Sequence, residues 1–237
     1  MQRVAAATSP LARQVLRASA PAMKRPLSTT TSPSTLNFEL PSLELAEDWQ
    51  TKHPQLPSAK RGFAWAIPEG MRCAFQLPNF WQVYTGEGQV LGMDAVRLYT
   101  RPKPSNKKTT DAEVCFDGVA YKAPLATEVV AEATAERLAR FFISLHFRRY
   151  GGDNPGEEAD IQMLESWKAC PSDTVHVYGV EYLVPSGHDM VQGCLQTIVN
   201  MEEDYMYELG FSCPQKAWRY SWSKFGSHIM DNAVVSF

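Results

Sequence analysis

The sequence predicts an α+β protein: a mostly antiparallel sheet packed by two principal helices, preceded by an extended N-terminal arm. Three observations predict it. Between Pro124 and Gly152, Val130, Thr134, Leu138, Phe141 and Leu145 recur at steps of three and four, a stripe wide enough to be buried on a helix. Short segments rich in β-branched and aromatic residues, broken by turn residues, fill 61–122 and return at 174–184. Between 26 and 60, Pro26, Pro33, Pro41, Pro54 and Pro57 interrupt both helix and ladder, so an arm is expected there.

Residues 1–35 read as a mitochondrial presequence. Before Glu39 there are five basic residues (Arg3, Arg13, Arg17, Lys24, Arg25), ten Ser or Thr, and no acid. If 3–17 are helical, Val4, Leu11, Val15 and Leu16 lie along one side with the arginines interleaved, the amphipathic form that import requires. A plastid transit peptide shares this bias, and a basic tail for an acidic surface is the blander alternative. Residues 36–60 form the proline-rich arm, and Leu36, Phe38, Leu40, Leu43, Leu45 and Trp49 give it too much apolar surface for a spacer. Such an arm packs on its own domain or on a neighbour.

The single α+β domain is expected over 61–237. Met71–Leu77, Phe80–Tyr84 and Ala95–Thr100 read as strands. GEGQVLG, with Gly86, Gly88 and Gly92, fails as a dinucleotide loop because the third glycine comes one position late and strand-like residues follow; a tight hairpin is expected instead. Asp117-Gly118 between apolar runs predicts a second hairpin turn. The loop 101–108 clusters Arg101, Lys103, Lys107 and Lys108, a pattern that is usually just solvated.

In the central helix, Pro124 and Thr127 suit the entry. Glu128, Glu132 and Glu136 lie toward its positive end, and Arg140, Arg148 and Arg149 toward its negative end before Gly151. After GGDNPGEEAD, Pro155 starts a shorter helix through Ile161, Leu164 and Trp167. Thr174–Val184 is the clearest strand, with His176 and Glu181 on opposite faces. From Asp189 to Leu209, MVQGCLQTIVN could open as a strand. Taken whole, however, Val191, Cys194, Ile198, Met201 and Tyr205 step by three and four up to Gly210, which predicts the second principal helix. Trp218, Tyr220 and Trp222 alternate with Arg219 and Ser221, placing three large rings on one face of a final strand.

The chain has 237 residues, of which 44% are hydrophobic and 11% aromatic, enough for a substantial core. No apolar run approaches the roughly 20 residues that span a bilayer, though peripheral membrane contact stays open. Five cysteines at wide spacing contain no Cys-x-x-Cys pair, so buried free thiols are expected, with no metal and no cofactor. Of 23 basic residues five precede Glu39, leaving 18 against 26 acids and a net charge of −8 beyond it. An acidic body disfavours direct nucleic-acid binding.

No nucleophile elbow, phosphate-binding loop or zinc-protease motif is present in the sequence. Ser186, His188 and Asp189 are too close in sequence to converge as a triad, and Asp189 or Ser186 as a helix cap explains them better. Glu202, Glu203 and Asp204 read as a solvated helix face. The expected function is therefore a non-catalytic accessory subunit of a mitochondrial complex, of the respiratory chain or ATP synthase, on the matrix side. Its partners would be other protein subunits, met through Trp218, Tyr220, Trp222, Phe38 and Trp49. A matrix enzyme or lipid carrier is the first rival, with Glu181, His176 or His146 as acid–base groups beside the central helix. A peripheral factor in mitochondrial RNA processing or translation is the second.

Overall fold

In the computed structural model, residues 41–90, 92–103, 114–122, 134–138, 140, 143, 161–186 and 189–235 are described. Eleven strands and two helical elements organise them. The strands are β1 (Glu44–Leu45), β2 (Phe63–Ala66), β3 (Cys73–Pro78), β4 (Trp81–Val90), β5 (Met93–Pro102) and β6 (Cys115–Lys122), then β7 (Gln162–Ala169), β8 (Val175–Ser186), β9 (Asp189–Asn200), β10 (Tyr205–Pro214) and β11 (Val234–Val235). Helix α1 contributes residues 135–138, 140 and 143. Helix α2 runs 215–231 as four unbroken stretches, Gln215–Ala217, Trp218–Ser221, a wider π turn at Trp222–Gly226, and Ser227–Asp231.

Eight strands form one antiparallel sheet in the order β1-β4-β5-β6-β10-β9-β8-β7, and β11-β3-β2 form a second. The large sheet is the middle layer. On one face, Val119, Val180, Leu195 and Val199 pack with Leu138 and Ile143 of α1. On the other, Trp81, Leu98, Phe116, Ile198, Leu209 and Phe211 pack with Phe75 and Leu77 of the small sheet and with Phe225, Ile229 and Met230 of α2.

This sheet-dominated architecture corrects the expectation of two principal helices on a sheet. The stretch 189–209 is not a helix but the hairpin β9–β10, paired from Tyr205↔Asn200 to Pro214↔Val191. Its three-and-four spacing misleads because the strand is covered on both faces. From Val191 to Asn200 every residue is buried, so no polar alternation marks the strand period. The shorter helix expected through Leu164 and Trp167 is likewise strand β7, at the sheet edge. Trp167 lies over Gly179 of β8 so closely that a Cβ there would overlap the indole ring.

The central-helix reading falls mostly outside the described residues. Where it is described, Thr134 caps the helix: its Oγ1 accepts from the Arg137 N–H at 3.2 Å, and Leu138 behind it is buried. The anticipated Glu136–Arg140 pair forms at 3.2 Å.

GEGQVLG does make the β4–β5 hairpin, closing at Val90↔Met93 with Gly92 at φ +75°. Asp117-Gly118 makes no turn. It lies inside β6, where Asp117 receives a bidentate ion pair from Arg97 (3.0 and 2.8 Å) and Gly118 leaves room for Met71. A buried charge pair thus overrides a strong local turn signal.

From residue 41 the arm lies on its own domain. β1 pairs with the β4 edge through Glu44↔Thr85 and Leu45↔Tyr84, and Ala46 N–H donates to the Val83 carbonyl at 2.9 Å. Gly86 and Gly88 make the fit possible. A Cβ on Gly88 would lie 2.5 Å from Pro41 Cα, and one on Gly86 would fall on the Ser42 carbonyl oxygen.

Candidate functional site

Of the five residues expected to contact partners, the structure brings Trp218 and Trp222 together. It does so on a helix rather than a strand. Alternating positions 218, 220 and 222 would share a strand face, whereas on α2 positions 218 and 222 are one turn apart and 220 points elsewhere. The two indoles stack at 5.1 Å and seat on Phe211, 6.1 and 5.8 Å away. Gly226 lets the helix approach, since a Cβ there would lie 2.7 Å from a Phe211 ring carbon. Both tryptophans are half-buried, so they serve chiefly to anchor α2. Trp49 packs against the same core from the arm, and Phe38 lies outside the described residues.

Tyr220 is left outward, 62% exposed. Lys224, one turn on, donates from Nζ to its phenol oxygen at 2.6 Å and sits 4.9 Å from its ring centre and 5.1 Å from that of Phe225. Phe225 in turn meets Phe80, which is 48% exposed in the turn between β3 and β4, with ring centres 5.9 Å apart. Phe80, Phe225, Lys224 and Tyr220 therefore form one continuous strip, and Lys216, Arg219 and Ser223 lie exposed along the same helix. Lys224 was missed in the sequence because it neighbours Tyr220 only at helical spacing. Phe80 was missed because it reads as the first residue of a strand.

The acid–base candidates do not converge. His176 and Glu181 lie an odd number of residues apart on β8 and so face opposite sides of the sheet. Glu181 accepts a 2.6 Å hydrogen bond from Gln192 Nε2, and His146 lies outside the described residues. Ser186 and Asp189 are directly opposed where the β8–β9 hairpin closes, which corrects the helix-cap reading, and His188 is outside the described residues. Glu202, Glu203 and Asp204 make the β9–β10 turn instead of a helix face. There Asn200 Oδ1 accepts from the Glu202 and Glu203 N–H groups, Asp204 has φ +53°, and Glu203 pairs with Arg72 at 3.0 Å. Among the described residues no three His, Cys, Asp or Glu side chains gather to hold a metal ion.

Under α1 the sheet carries a second polar group. Beside the Arg97–Asp117 pair, Tyr121 donates to Glu208 Oε1 at 2.8 Å, and burial, aided by the Glu208 charge, pushes the Tyr121 phenol well above its usual range. The cysteines are free thiols. Cys73, Cys115, Cys194 and Cys213 are buried and Cys170 is exposed. Burial pushes Cys73 well up and Cys213 up to about 12, so neither supplies a thiolate near neutrality. An open cleft of 540 Å³ lies between arm residues 50–59 and β2, where the Trp65 indole N–H donates to the Pro57 carbonyl at 2.7 Å.

The fold resembles that of a PsbP protein. The solution structure of cyanobacterial PsbP (CyanoP) from Synechocystis sp. PCC 6803 superposes with a TM-score of 0.51 at 14% identity, over 78% of this chain and 98% of that one. No protein-family model and no curated protein sequence matches the chain. At that identity the likeness is one of architecture. Among the described residues no helix is long and apolar enough to cross a membrane.

Proposed function

We propose that this chain is a non-catalytic accessory subunit of a mitochondrial multi-protein assembly, of the respiratory chain or ATP synthase. One observation carries the reading: the outward strip of Tyr220, Lys224 and Phe80, backed at Phe80 and Lys224 by the ring of Phe225. Tyr and Arg dominate interface hot spots, and a large ring preorganised on a short helix loses little entropy on docking. The acid-free, arginine-bearing stretch before Glu39 supports the mitochondrial address. From residue 41 the arm pairs with its own sheet edge, so the contact surface proposed is on α2 rather than on the arm.

The test is the native mass of the untagged full chain in gently solubilised mitochondria, with mass spectrometry of the proteins that co-migrate. A high-mass band of fixed stoichiometry is expected. Migration at the monomer or dimer mass would refute the subunit reading, and mitochondrial retention of a chain lacking 1–35 would refute the address.

A further inference from the structure

We infer that Tyr220 and Lys224 form a carboxylate clamp, through which α2 binds an acidic segment of a protein partner bearing an adjacent apolar side chain. This rests on the subunit reading and names the chemistry of its contact. The geometry begins with the 2.6 Å bond from Lys224 Nζ to the Tyr220 oxygen. Because that oxygen accepts from the ammonium, its own proton points away from the lysine. The ammonium keeps two further N–H groups. Two outward donors thus stand on atoms 2.6 Å apart, close to the spacing of the two oxygens of a carboxylate, and one of them carries the charge that strengthens such bonds.

The clamp is preorganised. Lys224 is held by the phenol oxygen and lies 5.1 Å from the Phe225 ring centre, which lowers the rotamer entropy that an exposed lysine ordinarily loses on pairing. Ser223 Oγ donates to the Tyr220 carbonyl at 3.1 Å, within the same turn. Phe80, beside Phe225, offers an exposed ring for an apolar neighbour of the carboxylate.

Charge selects the occupant. Along α2, Lys216, Arg219 and Lys224 face one acid, Asp231 at its last position, on a chain whose net charge beyond residue 38 is −8. A basic face attracts an acidic partner segment. A membrane surface fits less well. Recognition of anionic lipid typically uses about four to eight clustered cations without fixed geometry, whereas α2 has three, and Lys216 already lies 3.9 Å from Asp189.

The probe is a fluorescein-labelled peptide, Glu-Glu-Leu-Phe-Glu, titrated with the full chain, beside its Gln-for-Glu counterpart and vesicles of phosphatidylcholine with and without cardiolipin. Binding to the acidic peptide is expected to fall about tenfold or more in Lys224→Met and several-fold in Tyr220→Phe, and to fall similarly for the Gln peptide. Near-ultraviolet circular dichroism should stay unchanged, showing that both variants fold. Equal affinity of the variants, no binding of the acidic peptide, or capture by cardiolipin vesicles in its place would overturn the clamp. Native migration separates the two proposals: if Lys224→Met keeps the high-mass band, the clamp fails and the subunit reading stands, whereas a wild-type chain at monomer mass removes the subunit reading whatever the peptide does.

Discussion

His228 shows how a single side chain joins layers of this molecule. Its Nε2 lies 3.0 Å from Gln76 Oε1 on β3, which can only accept, so Nε2 carries the proton. Nδ1 then accepts from Asn232 Nδ2 at 3.2 Å, and Phe63 meets the ring edge-on. Both nitrogens are used by the neutral imidazole. Burial, with the nearby Lys60 charge adding to it, holds the pKa below the ordinary 6.5. Because the unfolded chain takes up this proton more readily than the folded one, His228 costs nothing above 6.5, and stability is lost as pH falls through that value toward the lower folded pKa. Urea midpoints should therefore drop more steeply between about pH 7 and 5 in the wild type than in His228→Gln; parallel slopes would contradict this assignment. The Arg97–Asp117 pair is the other decisive residue-scale contact. Asp117→Ala removes the bidentate partner of a buried guanidinium and should cost about 3–5 kcal/mol, and adding Arg97→Met should cost less than the sum of the two single changes. Additive losses in urea unfolding would show that the two side chains act independently. No local pattern marks this pair, since Arg97 and Asp117 sit 20 positions apart on neighbouring strands.

At the level of elements, legibility followed the exposure of each strand. β5 and β8 have wet positions or dense β-branched content and were recognisable, as was the β4–β5 hairpin through its glycines. β9 and β10 were not. Their faces are both covered, so Val191, Cys194 and Ile198 look helical although the chain is extended. Trp218 and Trp222 fit a period of two and a turn of four equally well. Only Tyr220, exposed while its neighbours are seated, separates the two, and exposure cannot be read from sequence. The arm was legible as an arm, but its destination was hidden in two small residues. Gly86 and Gly88 read as turn formers, whereas their role is to admit the backbone of 41–43. Gly86→Ala should consequently unseat the arm while the rest of the sheet stays folded. Amide exchange at 44–46 is expected to speed up markedly with β9 and β10 unchanged; unchanged exchange at 44–46 would mean that the arm tolerates a Cβ there.

For the molecule as a whole, strand order divides the large sheet into two meanders, β4-β5-β6 and β7-β8-β9-β10, joined along the β6–β10 seam from Tyr205↔Lys122 to Ser212↔Cys115. Within each meander neighbours are consecutive in the chain, so their contacts are local and close early. The small sheet joins opposite ends of the sequence: Val234 pairs with Ala74 and Val235 with Cys73. Phe225, Ile229 and Met230 fill the core that β3 and β10 leave open. A chain that emerges N-terminus first, from a ribosome or through a translocation pore, therefore holds an unfinished core until residues 225–235 arrive. The surface formed by Tyr220 and Lys224 is assembled in that same final step. Closure of the core and formation of that surface thus become one event, and a product cut short before α2 would lack both.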